Sequence, residues 1–148
     1  MSKIEKRLQE LGIVLEGPKA PVGNYLGCKR IGELLFVSGR VSDLRGEVGS
    51  DVSEEEARAA ARETIILILS IIKSEIGNLD QIIGVVKLQG FIRSAPGFIN
   101  QPKVLDGASG LLIELLGEEG RHARTAMGVA QLPFGATLQL DLVLQVLV

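Results

Sequence analysis

The chain has 148 residues, one cysteine and one histidine, with 46% hydrophobic and 3% aromatic residues and a formal net charge of -2. That length fits one domain with a real core, and the apolar content excludes a disordered chain. The absence of a basic run and the scarcity of rings for base stacking argue against nucleic acid as a partner, and a single cysteine, Cys28, excludes an internal disulfide and suits a reducing, cytoplasmic setting.

Ser2 to Leu11 puts Ile4, Leu8 and Leu11 on one helical face, with Gly12 as a stop. The charged start, Met1 to Arg7, has no apolar stretch behind it and does not read as a signal peptide. Gly17-Pro18-Lys19-Ala20-Pro21 reads as an extended linker. It leads to Val22-Gly23-Asn24-Tyr25, a loop holding the only tyrosine, which suits packing or binding. Leu26 to Arg30 and Leu34 to Ser38 read as a hairpin joined by Ile31-Gly32-Glu33. Ser38-Gly39-Arg40 ends the second strand, and Gly39 admits close approach of a backbone or a ligand. Ser42 to Gly49 is turn-rich and could hold a short hairpin.

Ser53 followed by Glu54, Glu55 and Glu56 is a capping box that opens a helix running to about Glu75, with Gly77-Asn78 as its stop. The apolar run within it, Thr64 to Ile72, is too short for a bilayer, which takes about 20 residues. A strand follows over Ile82 to Ile92, with Gly84 and Gly90 marking bulges or close approaches. Arg93 at its end is a second candidate for anion binding, or a plain surface arginine. A second long helix spans Gln101 to Leu116, with Asn100 as cap and Pro102 in the first turn. Gly107 and Gly110 weaken it but allow close packing against a sheet. Thr125 to Leu132 reads as a strand, Pro133-Phe134-Gly135 as a turn, and Leu138 to Val148 as the partner strand.

In that last strand every second residue from Leu138 is apolar, while the other face reads Gln139, Asp141, Val143, Gln145, Leu147. The order of elements gives an α+β fold with one mixed sheet and both long helices on one face. The other face, mixed in character, is left uncovered and calls for a homo-oligomer.

One histidine and one cysteine far apart exclude a metal site, and no phosphate or dinucleotide fingerprint is present, so neither metal nor cofactor is expected. A Ser-His or Cys-His nucleophile would have to use His122. Nothing else in the sequence supports one, and His122 reads as a loop residue bonded to backbone. Arg124 stands where the incoming loop becomes a strand. Its guanidinium can grip a carboxylate with two parallel hydrogen bonds, or make a structural salt bridge.

Ala123-Arg124-Thr125-Ala126-Met127-Gly128-Val129-Ala130-Gln131-Leu132-Pro133 resembles the C-terminal signature of the RidA (YjgF) family. Gly23-Asn24-Tyr25 and Leu35-Phe36-Val37-Ser38-Gly39 resemble its N-terminal loop and second strand. The resemblance covers a core over residues 20–148 of a single domain, 1–148. The helix and linker of 1–19 are like those of longer members. It implies a chorismate-mutase-like α+β fold and a homotrimer whose sheets form a central barrel, with ligand clefts between subunits. Active members hydrolyse enamines and imines such as 2-aminoacrylate to 2-keto acids and ammonia, as 2-iminobutanoate/2-iminopropanoate deaminases.

On that resemblance Arg124 holds the substrate carboxylate and Tyr25 closes the pocket. Backbone near Ala126, often a cysteine in the family, orients water or substrate. Gly39 and Asn100 join them as binding positions. Gln139 stands where the family commonly has a proton-transferring Glu, and glutamine cannot act as acid or base at neutral pH. Asp141 shares its sheet face but lies ~6.6 Å along the strand. Two other readings compete. One is a non-catalytic binder of small carboxylates such as 2-keto acids in the same cleft. The other is an RNA-cleaving translation inhibitor, which the acidic balance opposes.

Overall fold

The computed structural model describes residues 2–17 and 23–147. Apart from Gly17, the linker expected through Pro21 lies outside them, as do Val22 and the final Val148. Among the described residues three α-helices, α1 (Lys3–Glu10), α2 (Glu54–Ile76) and α3 (Gln101–Leu116), accompany five strands: β1 (Cys28–Ile31), β2 (Leu34–Val41), β3 (Ile82–Arg93), β4 (Ala123–Val129) and β5 (Leu138–Val146). The strands form one mixed sheet in the order β1-β2-β5-β3-β4. Among the described residues, β3 and β4 pair in parallel and the other neighbours pair antiparallel.

β5 is the centre of this sheet because its sequence allows it to be. Its burial alternates without a break: Leu138, Leu140, Leu142, Leu144 and Val146 are buried, and the residues between them are half-buried. The buried row packs under α2 and α3 in one core with Leu88, Ile92, Ile65, Ile68, Leu105 and Leu112. Gly90 lets α3 come down on the sheet, since a Cβ there would lie 2.6 Å from Leu105 Cδ1.

β4 corrects an expectation. It does not form a hairpin with β5; it pairs with β3 through the α3 crossover, at the sheet edge. The chain after the Pro133–Gly135 turn crosses the end of β3, where the Arg93 amide donates to Thr137 O at 2.9 Å and the Thr137 amide donates to Leu44 O at 3.0 Å. That crossing carries β5 past β3 into the gap beside β2. The strand also starts at Ala123 and stops at Val129, earlier than the expected Thr125 to Leu132. β2 runs on through Gly39 to Val41, with a register shift between Val37 and Arg40. The turn before it is Gly32-Glu33 alone, since Ile31 already pairs with Leu34. Ser42 to Gly49 forms no hairpin; it holds isolated bridges, Arg45 to Ala136 and Val48 to both Val52 and Ser94.

α2 begins as its sequence dictates. Ser53 Oγ accepts from the Glu56 amide at 3.0 Å and the Glu56 carboxylate accepts from the Ser53 amide at 3.2 Å. Gly77, at φ 82°, ends it. α3 does not use its expected cap: Asn100 sits at φ -95°, ψ 32° and makes no side-chain capping bond. That backbone conformation is not the extended one from which a cap side chain reaches forward. The helix glycines also act differently from expectation. Gly107 packs α3 against α2, not against the sheet: a Cβ there would lie 2.9 Å from the Arg58 carbonyl carbon and nearer still to its oxygen. Gly110 faces open space.

α1 is docked by charge and by apolar contact. Asp80 accepts from the Lys3 amide at 2.8 Å and the Ile4 amide at 3.1 Å, satisfying free donors of the helix start. Glu5 pairs with Lys73 on α2 at 2.7 Å, and Ile4 and Leu8 are buried.

The sheet face away from the helices carries Phe36 opposite Val143 and Phe91 opposite Gln139, together with Lys29, Gln89 and Asp141. Ile31, Phe36, Val86 and Met127 are exposed.

Candidate functional site

Arg124 is the second residue of β4, opposite Leu88, whose side chain lies in the core. The pairing aims Arg124 to the helix side of the sheet edge, at α3. There Nη1 donates to Asp106 Oδ1 at 2.7 Å and to Ser109 Oγ at 3.2 Å, and Nη2 donates to the Pro102 carbonyl at 3.3 Å. The Arg124 side chain is 26% exposed and that of Asp106 60%. Such a pair contributes well under about 1 kcal/mol to stability, because water screens it. Its effect is geometric: three of the five guanidinium donors are held by one helix. The Nε–H and the second Nη2–H take no partner among the described residues. In a guanidinium, Nε–H and the Nη2–H beside it lie along one edge, spaced to grip a carboxylate side-on.

Pro102, Asp106 and Ser109 fall four and three residues apart, one stripe of α3. The sequence carried that signal, but only knowing that Arg124 lies beside α3 gives it meaning. His122 bonds backbone as expected, its Nδ1 lying 2.6 Å from Gly120 O, and its Nε2 reaches Ser109 Oγ at 2.9 Å.

The other expected site residues do not join Arg124 within one chain. Gln139 alternates with buried Leu138 and Leu140, so it faces the uncovered side, where it lies against Gly39: a Cβ on Gly39 would meet its Nε2 at 2.8 Å. Asp141 shares that face, and burial raises its carboxyl above the ordinary value, with Lys87 opposing. Tyr25 is 46% exposed, three residues before β1. The edges β1 and β4 are four strand spacings apart, about 19 Å. Ala126 pairs with Gly90 and is partly buried against the core, and Asn100 is exposed at the start of α3. Arg93 donates to Gly135 O at 3.4 Å and so serves the turn before β5. Cys28 is buried, and that burial, with Glu75 adding and Arg40 opposing, pushes its thiol up to about 11. Among the described residues no cluster of His, Cys, Asp and Glu could hold a metal ion, and no helix is long and apolar enough to cross a membrane.

Residues 5–145 match the family model described as "YjgF/chorismate_mutase-like, putative endoribonuclease". The chain belongs to the YjgF/chorismate mutase-like family. It is similar to protein TCP17 of Trypanosoma cruzi, 40% identical over 94% of this chain and 91% of that one. Among solved structures it is similar to a protein of unknown function from Agrobacterium tumefaciens, at 40% identity and TM-score 0.90 over 97% of this chain and 92% of that one. It is also similar to a "putative endoribonuclease" from Shewanella oneidensis, at 30% identity and TM-score 0.94 over 98% of this chain and all of the other. The five-stranded mixed sheet with its helices is the YjgF/chorismate-mutase-like fold.

Proposed function

We propose that this YjgF-family chain is an enamine/imine deaminase of the RidA type, hydrolysing small carboxylated imines such as 2-aminoacrylate to a 2-keto acid and ammonia. The observation that carries the reading is Arg124, fixed on one side by α3 and presenting two adjacent N–H donors on the other. Such a fork binds the carboxylate of the imine and of its keto-acid product alike. The rest of the site comes from a second copy. Tyr25, Gly39 and Gln139 lie toward the far edge or on the uncovered face, and the apolar residues of that face favour a homotrimer with ligand clefts between subunits. Backbone at Ala126 and Asn100 lines the Arg124 side of that cleft.

One residue favours a second reading. Gln139 supplies no proton-transfer group, so the same cleft could bind 2-keto acids without turnover. The RNA-cleaving role suggested by relatives' names has less support, since the chain carries a net charge of -2 and few aromatic rings.

The test is ammonia and keto-acid release from freshly generated 2-aminoacrylate, with wild type beside Arg124→Ala. Acceleration by wild type and its loss in the variant support the deaminase. Equal rates refute the role of Arg124. Pyruvate binding without acceleration moves the assignment to the binder.

A further inference from the structure

Behind Arg124 stands a chain of hydrogen bonds that its role as an anchor does not require but that decides how it is aimed. His122 Nδ1 is 2.6 Å from the carbonyl oxygen of Gly120, which can only accept. With the ring neutral, Nδ1 therefore carries the proton and Nε2 is an acceptor. Ser109 Oγ, 2.9 Å from Nε2, must then donate to it. The hydroxyl hydrogen is committed, so Ser109 turns its lone pairs toward Arg124 and accepts from Nη1 at 3.2 Å. Ser109 is 8% exposed in the middle of α3, which leaves it no room to receive a substrate as a nucleophile. Its oxygen is a fixed post between two side chains.

We propose that Ser109 and His122 are positioning residues that set the edge of the Arg124 guanidinium offered to a ligand carboxylate. The inference rests on the reading of Arg124 as a carboxylate receptor. Asp106 alone could hold Nη1 in several orientations, because one oxygen at 2.7 Å defines a distance and not a plane. Ser109 on the other Nη1–H and the Pro102 carbonyl on Nη2 define the plane, and leave Nε and Nη2 as the outward pair. His122 locks the Ser109 hydroxyl so that it cannot turn its hydrogen against the guanidinium.

The chain has a single histidine, so its ring nitrogens give one pair of NMR signals. The experiment records them, and the Kd for pyruvate, in wild type, Ser109→Ala, His122→Leu, His122→Gln and Arg124→Ala. In wild type the ring is the Nδ1–H tautomer, and pyruvate shifts the Nε2 signal through Ser109. Ser109→Ala and His122→Leu each weaken pyruvate about five- to tenfold, the cost of one oriented hydrogen bond, and Ser109→Ala abolishes the Nε2 response. His122→Gln, which puts an amide oxygen where Nε2 stood, recovers most of the affinity. Two variants on different elements guard against a folding defect in either. If Arg124→Ala loses pyruvate binding while Ser109→Ala and His122→Leu keep the wild-type Kd, the relay is overturned and the receptor survives. If wild type binds no pyruvate, the receptor reading fails and the relay has nothing to aim.

Discussion

Two glycines on the same helix should respond in opposite directions to the same substitution. Alanine in place of glycine inside a helix is worth about 0.5–1 kcal/mol of stability from backbone entropy alone. Gly110 has nothing within 4 Å of where a Cβ would stand, so Gly110→Ala should gain that amount. At Gly107 the Cβ would lie 2.9 Å from the Arg58 carbonyl carbon, whereas carbons in good contact sit about 3.5–4.0 Å apart. The obstacle is backbone of α2 and cannot rotate away, so α3 must lift by at least about 0.6 Å across an interface of packed alanines and leucines. Overpacking of this kind costs about 1–3 kcal/mol, and the rigidity of the obstacle puts Gly107→Ala near the top of that range. The net loss is then about 2 kcal/mol, and the two variants differ by about 3 kcal/mol.

Urea unfolding followed by circular dichroism, at one protein concentration so that assembly does not vary, measures both. For a chain of this size the gap corresponds to a separation in Tm of roughly 6–12 °C. Gly107→Ala at or above wild-type stability would show that α2 and α3 are not in backbone contact there. The consequence reaches the site as well: Asp106 and Ser109 flank Gly107, so lifting α3 also draws two partners away from Arg124.

The Cys28 thiol, pushed up to about 11 by burial, stays protonated at pH 8. A thiol reagent should therefore label it only after denaturation, and rapid labelling of native protein would contradict its burial. Asp141, raised by burial against the pull of Lys87, binds its proton more tightly folded than unfolded. Its contribution to stability is thus present at low pH and lost as pH climbs from the ordinary carboxylate value through the raised one. Asp141→Asn should raise the urea midpoint at pH 7, and an unchanged or lower midpoint refutes the desolvation argument. Asp80 behaves in the opposite sense: burial pushes it up, but the Lys3 and Ile4 amides outweigh that and hold it below the ordinary value. Docking of α1 is then intact above the ordinary carboxylate pKa and lost as pH falls through the depressed one. Hydrogen exchange in α1 should accelerate in acid, or at pH 7 in Asp80→Ala, while the core strands stay protected.

Local chemistry was legible in the chain and long-range pairing was not. The alternation from Leu138 onward reappears as strict alternation of burial, because a central strand with one face in a core has no other solution. The Ser53–Glu56 box closes as written, since both of its bonds lie within four residues. The turn signal at Pro133 suggests a hairpin between β4 and β5, whereas the pairing is decided by Thr137 bonding to Leu44 and Arg93, contacts far apart in sequence. Asn100 has a capping side chain but not a capping backbone. Arg124 could be singled out from its position alone. Asp106 and Ser109 could not, because a helix stripe says which residues share a face and not what faces them.

The placement of Gln139 gives the deaminase reading its sharpest consequence. Arg124 reaches the helix side of edge β4, while Gln139, on the central strand, and Gly39, on β2, sit together on the uncovered face. A cleft using both needs a second chain, and on the Gln139 side that chain brings an amide where an acid or base would serve. General acid–base catalysis is worth about 10²–10⁴ in rate. If proton transfer at this position limits turnover, Gln139→Glu should raise kcat on 2-aminoacrylate by about 10² or more. It should leave the Kd for pyruvate within a few-fold of wild type, because the proposed function gives the carboxylate to Arg124 and not to Gln139. A gain in kcat with an unchanged Kd would separate anchoring from proton transfer and explain a wild type that binds better than it turns over. An active wild type whose kcat Gln139→Glu does not raise would show that water and backbone already carry the proton, and that the glutamine costs the reaction nothing.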